Sequence, residues 1–252
     1  MNARTEELLY VIMWTTETLA RPTYRGFSTS FDEWARISGL ERRLYLLRQK
    51  GLVEHVDAPV VSHKRLLRLT DKGWIAAQGG QINAAERWKR RWDGRWRMVL
   101  FDLPAKRTAL RHRLWRFLRM NRFGYLQNSV WITPDTTETL RERMKGEKSE
   151  VGSLLLMEGR PCGGESDFDV VAEAWNFAAI NERYRRYLTV AKQMPSSKSG
   201  FGPWREWLMR ERETWLEAVR DDPFLPEALL PADYLGKRAW EFRQKRLRGA
   251  VS

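Results

Sequence analysis

The chain of 252 residues carries 45 Lys and Arg against 32 Asp and Glu, a formal net charge of +13, with 42% hydrophobic residues, 13 Trp and one Cys. That apolar and aromatic content supplies a core and excludes a wholly disordered chain, and the single Cys162 excludes an internal disulfide. One Cys and three scattered His offer no metal-binding spacing, so no cofactor is expected, while the positive excess points to an acidic partner, nucleic acid first.

In chain order, Leu8, Leu9, Ile12, Met13 and Leu19 fall at helical spacing between Thr5, a candidate N-cap, and Ala20, with Pro22 closing the segment. Ser30 and Glu33 then stand at capping-box spacing and predict a short second helix from Phe31 to Ile37. Ser38-Gly39 punctuates it, and Leu40, Leu44 and Leu47 recur on a third helix that stops at Gly51, a helix-turn-helix arrangement. Leu52–Val56 and Leu66–Thr70 are strand-like runs around a tip holding Pro59 and Ser62, which makes the predicted unit a winged helix-turn-helix. Arg42, Arg43, Arg48 and Lys50 lie off the apolar stripe of the third helix, where they can meet phosphates or guanine edges in a major groove. His63, Lys64 and Arg65 at the wing tip can touch the neighbouring backbone or minor groove.

Residues 74–91 read as a linker helix with Ala84, Ala85, Trp88 and Trp92 on one face. Trp96 to Leu103 is a near-continuous apolar run, as in a strand buried on both faces, and Pro104 ends it. Between Lys106 and Asn121, Leu110, Leu114, Phe117 and Leu118 share a helix face opposite His112, Arg116 and Arg119. A bent strand or strand pair over Phe123–Ile132, a helix from Asp135 to Lys145 and a strand from Ser153 to Met157 complete the βαββαβ order of a ferredoxin-like domain. Residues 84–122 hold thirteen Lys or Arg against three acidic residues, so much of the positive excess sits there. The last third is helical: Phe168–Val190, a helix with Pro203 in its first turn, and a terminal helix from about Pro231 to Arg248. The expected class is α+β, with a winged-helix DNA-binding domain over 1–80, a linker helix over 81–93, a ferredoxin-like domain over 94–160 and a helical C-terminal domain over 161–252.

Trp92-Asp93-Gly94-Arg95-Trp96, Phe101-Asp102-Leu103-Pro104, Phe123-Gly124 and Gln127 to Pro134 together resemble phrases of the PaaX-type repressors of phenylacetate degradation. So does the stretch from Asp222-Pro223-Phe224-Leu225-Pro226 to Pro231-Ala232-Asp233-Tyr234-Leu235-Gly236. The resemblance covers residues 86–240 and extends to the N-terminal region in architecture. It implies a winged-helix domain, a central domain akin to the CRISPR adaptation nuclease subunit, a helical C-terminal domain, and a homodimeric repressor released by an acyl-coenzyme A effector. Glu41 to Arg48 and Ala58-Pro59-Val60-Val61 depart from the family's recognition-helix and wing phrases, so the resemblance names no operator sequence.

The expected partner is a double-stranded DNA operator and the expected role is regulation, not enzymatic catalysis. Two alternatives stand beside it. Asp102 occupies the place of an Asp that can hold magnesium in the nuclease relatives, which makes metal-dependent phosphodiester cleavage one alternative. Basic and aromatic content suited to stacking on single strands makes RNA binding the other. No apolar run approaches ~18 residues and the first residues lack the positive charge of a signal peptide, so no membrane association and a cytoplasmic location are expected.

Overall fold

In a computed structural model of the protein, residues 3–15, 40–56, 66–77, 84–102, 108–127, 130–137, 153–196 and 199–248 are described. They form two compact units, each assembled from segments far apart in sequence. The predicted second helix over Phe31–Ile37, the wing tip with His63, Lys64 and Arg65, and most of the predicted helix over Asp135–Lys145 lie outside the described residues.

The first unit comprises Met1–Asn83, Arg183–Ala218 and Leu235–Ser252. Its first element, α1 (Ala3–Thr15), begins before Thr5, so Thr5 sits inside the first turn and is buried there. Every residue from Leu8 to Trp14 is 5% exposed or less, the mark of a helix enclosed on all sides and not of one with a single apolar stripe. The enclosure comes from α2 (Leu40–Gln49), the antiparallel pair β1 (Val53–Val56) and β2 (Leu66–Leu69), and α3 (Asp71–Ala77). Later helices complete it: α8 (Phe201–Arg220) contributes Phe201, Trp204, Trp207 and Leu208, and α9 (Gly236–Arg248) contributes Leu247. Trp14 meets Trp207 edge-on at 5.2 Å between ring centroids.

At the centre of this unit four polar side chains are buried together. Glu211 of α8 is an acceptor for Tyr10 Oη, for Tyr187 Oη at 3.0 Å and for Arg243 Nε at 3.0 Å. Arg243 Nη2 also donates to Tyr10 Oη at 2.6 Å, and its guanidinium lies 4.7 Å from the Trp215 ring centroid. Burial pushes the Tyr10 and Tyr187 hydroxyls well above the ordinary phenol range, so both stay protonated donors. Burial also opposes the charge of Arg243, but Tyr10, Glu211 and Tyr187 outweigh it and hold the guanidinium protonated.

The second unit comprises Ala84–Glu182 and Val219–Tyr234. It contains α4 (Ala84–Lys89), β3 (Trp96–Asp102), α5 (Thr108–Met120), β4 (Gly124–Gln127), β5 (Val130–Thr133), β6 (Ser153–Gly159), α6 (Asp167–Ala174) and the first residues of α7 (Phe177–Lys192). The strand region around Asn128-Ser129 resolves into two strands, and the four-stranded antiparallel sheet has the order β4-β5-β3-β6. That order is the split β-α-β arrangement of a ferredoxin-like sheet. Val99, Phe101 and Trp131 pack against Leu114 and Leu118 of α5 to make its core. The opposite parity of β3 is less covered than an apolar run suggests: Met98 and Leu100 are half-buried, and their β6 partners Met157 and Leu155 are 46% and 53% exposed.

The predicted helical run from Phe168 to Val190 is two helices, because Trp175 leaves the helical path in an extended conformation and closes α6. Ser166 and Asp169 form a capping box that starts α6.

Candidate nucleic-acid interface

Helix α2 carries Arg42, Arg43 and Arg48, and Lys50 follows directly after its end. Leu47 is fully buried and Leu44 packs beside it, which turns the opposite face outward. On that face Arg42, Tyr45 and Gln49 follow one another at spacings of three and four residues, with Leu46 beside them, and all are exposed, Tyr45 by 59% and Leu46 by 44%. Gln49 Nε2 donates to Tyr45 Oη at 2.6 Å, which ties two of these side chains into one polar surface. Arg48 and Lys50 are exposed and Arg43 is half-buried; by helical spacing Arg43 and Arg48 sit on the two flanks of the apolar stripe. The structure thus brings Arg42 together with Tyr45, Leu46 and Gln49, which cation counting passed over. Their signal was available in the spacing of Arg42, Tyr45 and Gln49 opposite Leu44 and Leu47.

The short phrases after this helix position it. Gly51, at φ 64°, ends α2: its N–H donates to Arg48 O at 2.8 Å and the Leu52 N–H donates to Leu47 O at 2.9 Å, the paired bonds of a Schellman turn. Thr70 joins that turn to α3, since its Oγ1 donates to Gly51 O at 2.7 Å and accepts from the Gly73 N–H at 3.0 Å. Gly73 must lack a side chain: a Cβ there would stand 1.9 Å from the Leu52 carbonyl oxygen. Lys72 Nζ donates to Lys50 O at 3.1 Å, a cation on the last carbonyls of α2. Through these contacts Lys50-Gly51-Leu52 and Thr70-Asp71-Lys72-Gly73 lock the end of α2 to the β1–β2 pair and α3.

The basic segment 84–122 splits into structural and exposed groups. Arg90 pairs with Asp135 at 2.6 Å and donates to the Phe224 carbonyl. Arg97 is buried between Asp93 and Glu158, and that hydrogen-bonded pairing lowers the Asp93 carboxyl to a pKa of about 2. Arg122 lies 4.5 Å from the Phe224 ring centroid and donates to the carbonyls of Val219 and Asp222. Arg116 and Arg119 remain exposed on α5. The aspartate-proline phrase is likewise an anchor: buried Asp222 accepts from the Phe224 N–H at 2.7 Å and from Tyr234 Oη, and Trp88 of α4 packs on both of those rings.

Asp102 ends β3 opposite Ser153, and its side chain lies outside the described residues. Among the described residues no group of three or more His, Cys, Asp or Glu gathers as a metal site, and no helix is long and apolar enough to cross a membrane.

Residues 89–171 match the family model of the PaaX protein central Cas2-like domain, and residues 175–249 match that of the PaaX-like protein C-terminal domain. A solved structure of the uncharacterized protein Rv0674 from Mycobacterium tuberculosis is similar in fold, with a TM-score of 0.56 and 19% identity over 94% of this chain and 93% of that one. No curated protein matches the chain.

Proposed function

The chain belongs to the PaaX-type family of transcriptional regulators, and on that premise we propose that it is a DNA-binding repressor whose N-terminal region works as a winged helix-turn-helix. The observation that carries the reading is the outward face of α2. A helix whose C-terminus is locked by Gly51, Thr70 and Gly73, and whose free face presents Arg42, Tyr45 and Gln49, has the form of a recognition helix. In this reading Arg42, Tyr45 and Gln49 meet base edges, with Arg bidentate to guanine and Gln to adenine. Arg43, Arg48 and Lys50 flank them and hold phosphates, as do His63, Lys64 and Arg65 of the wing.

The repressor is a homodimer, matching the two-fold symmetry of operators read by such helices. The strip of Leu155 and Met157 beside half-buried Met98 and Leu100 is the surface that supports a self-contact. Release comes from a small effector, for which the family resemblance implies an acyl-coenzyme A thioester.

The test is a binding titration with an operator recovered by sequencing genomic DNA that co-purifies with the protein. Arg42→Ala should cost about 1 to 3 kcal/mol on operator and little on random duplex, whereas Arg48→Ala and Lys64→Ala should weaken both equally and lower the salt slope. Read for stoichiometry, the same titration should give two chains per operator. Equal losses on both duplexes for Arg42→Ala would remove α2 as the reading element.

A further inference from the structure

We propose that the second unit holds a binding site for a small phosphorylated ligand, in the cleft between the exposed face of α5 and the end of α8. The cleft has a volume of about 450 Å³ and is lined by His112, Trp115, Arg116, Arg119, Arg220 and Asp221. That the ligand alters operator affinity rests on the regulatory reading above; that the cleft takes phosphate rests on its own residues.

His112 stands three and four residues before Trp115 and Arg116, and Arg119 four and three residues after them, so one stripe of α5 supplies two guanidiniums, an imidazole and an indole. Arg220 brings a third guanidinium from a second element. Against these three stands one carboxylate, Asp221, whose pair with Arg220 is loose at 3.6 Å and more than half exposed on both sides. An exposed pair of this kind contributes little and yields readily to an anion. Arg116 and Arg119 form no ion pair among the described residues, unlike Arg90 and Arg97, and Arg122 is engaged by the backbone carbonyls of Val219 and Asp222. Among the described lining residues the cleft therefore carries three guanidiniums against one carboxylate, and guanidinium forks match the oxygens of a phosphate better than those of a neutral ligand.

Two features select a small ligand over the backbone of a duplex. The cations are set into a concavity whose volume falls within the range of small-molecule sites, and a second cleft of about 270 Å³ adjoins it through Arg119, Arg220 and Asp221. Trp115 supplies a flat platform held in place by its neighbours, with ring centroids 6.3 Å from His112, 6.3 Å from Tyr125 and 6.4 Å from Trp131. A rigid indole beside three guanidiniums fits a flat heterocycle joined to phosphates, the chemistry of a nucleoside diphosphate.

Calorimetry on the full chain with ADP, inorganic pyrophosphate and adenosine tests the site. ADP and pyrophosphate should bind with Kd below about 1 mM and adenosine more weakly. Arg119→Gln and, from the other element, Arg220→Gln should each weaken ADP by about tenfold or more, with thermal unfolding unchanged because both side chains are exposed. Absence of ADP and pyrophosphate binding to the wild-type chain, or equal binding by the variants, overturns the proposal. So does an Arg119→Gln variant that keeps ADP affinity and loses duplex affinity, since the stripe then serves the DNA backbone. ADP binding through Arg119 and Arg220 that leaves operator affinity untouched supports the site and counts against the effector-released repressor.

Discussion

Arg243→Met is the substitution that tests the buried polar cluster most directly. Arg243 and Glu211 are each 0% exposed, and methionine follows the arginine stem while removing the charge. Among the described residues Glu211 then keeps the Tyr10 and Tyr187 hydroxyls as donors and loses its cationic partner. Breaking one side of such a pair costs about 3 to 5 kcal/mol, and the lost contact with the Trp215 ring adds to that. At about 2 to 4 °C per kcal/mol for a unit of this size, the melting transition followed by circular dichroism should fall by roughly 6 to 20 °C. Glu211→Gln in the same chain removes the orphaned charge and leaves an amide oxygen for the two tyrosines, so the double variant should recover more than half of the loss. A loss under about 1 kcal/mol for Arg243→Met, or a double variant no more stable than the single one, would refute the account of a charge held by its partner.

Two further expectations concern the phrases that anchor each unit. Gly73→Ala forces a methyl group against the Leu52 carbonyl, so the β1–β2 pair must shift; a stability loss of about 1 to 3 kcal/mol with weaker operator binding is expected, and a neutral result would mean the Thr70 turn is not rigid. Asp93, held by Arg97 at about 2, binds its proton less readily in the folded than in the unfolded chain, so its stabilising effect is complete above the ordinary carboxylate pKa and is lost as pH falls toward 2. Asp93→Asn should flatten that part of the stability profile between about pH 4 and pH 2, measured by thermal unfolding, and an unchanged slope would place the pH dependence elsewhere.

Local chemistry was the legible part. Gly51 as the stop of α2 could be read because the residues that build a Schellman turn are contiguous, and the ferredoxin-like sheet could be read because β3, β5 and β6 each carry their own apolar run. Burial decided by distant segments was not. Glu211 and Arg243 look like ordinary members of charged helices until Tyr10, more than 200 residues away from either, is brought against them. The same holds for Arg97, which sits in an apolar strand and draws its partners from Asp93 and from Glu158 across the sheet. Trp92 was expected on the face of the linker helix, but α4 ends at Lys89 and Trp92 instead packs on Trp96. At the candidate interface, counting cations found Arg42 but not Tyr45 and Gln49, because uncharged residues on an outward face give no signal until the inward face is known.

The enclosure of α1 sets an order of events during synthesis. Leu8 to Trp14 leave the ribosome roughly 190 or more residues before Phe201 to Leu208 and Leu247, which help to cover them. For most of that interval the nascent chain holds an apolar helix without its cover, a target for chaperones that bind exposed hydrophobic segments. It follows that a fragment ending after α3 exposes much of α1 and lacks the Glu211 acceptor of Tyr10, so the N-terminal segment is not a detachable module. A nascent copy therefore acquires its folded first unit only once α8 and α9 are available, so this unit closes after synthesis of both rather than segment by segment.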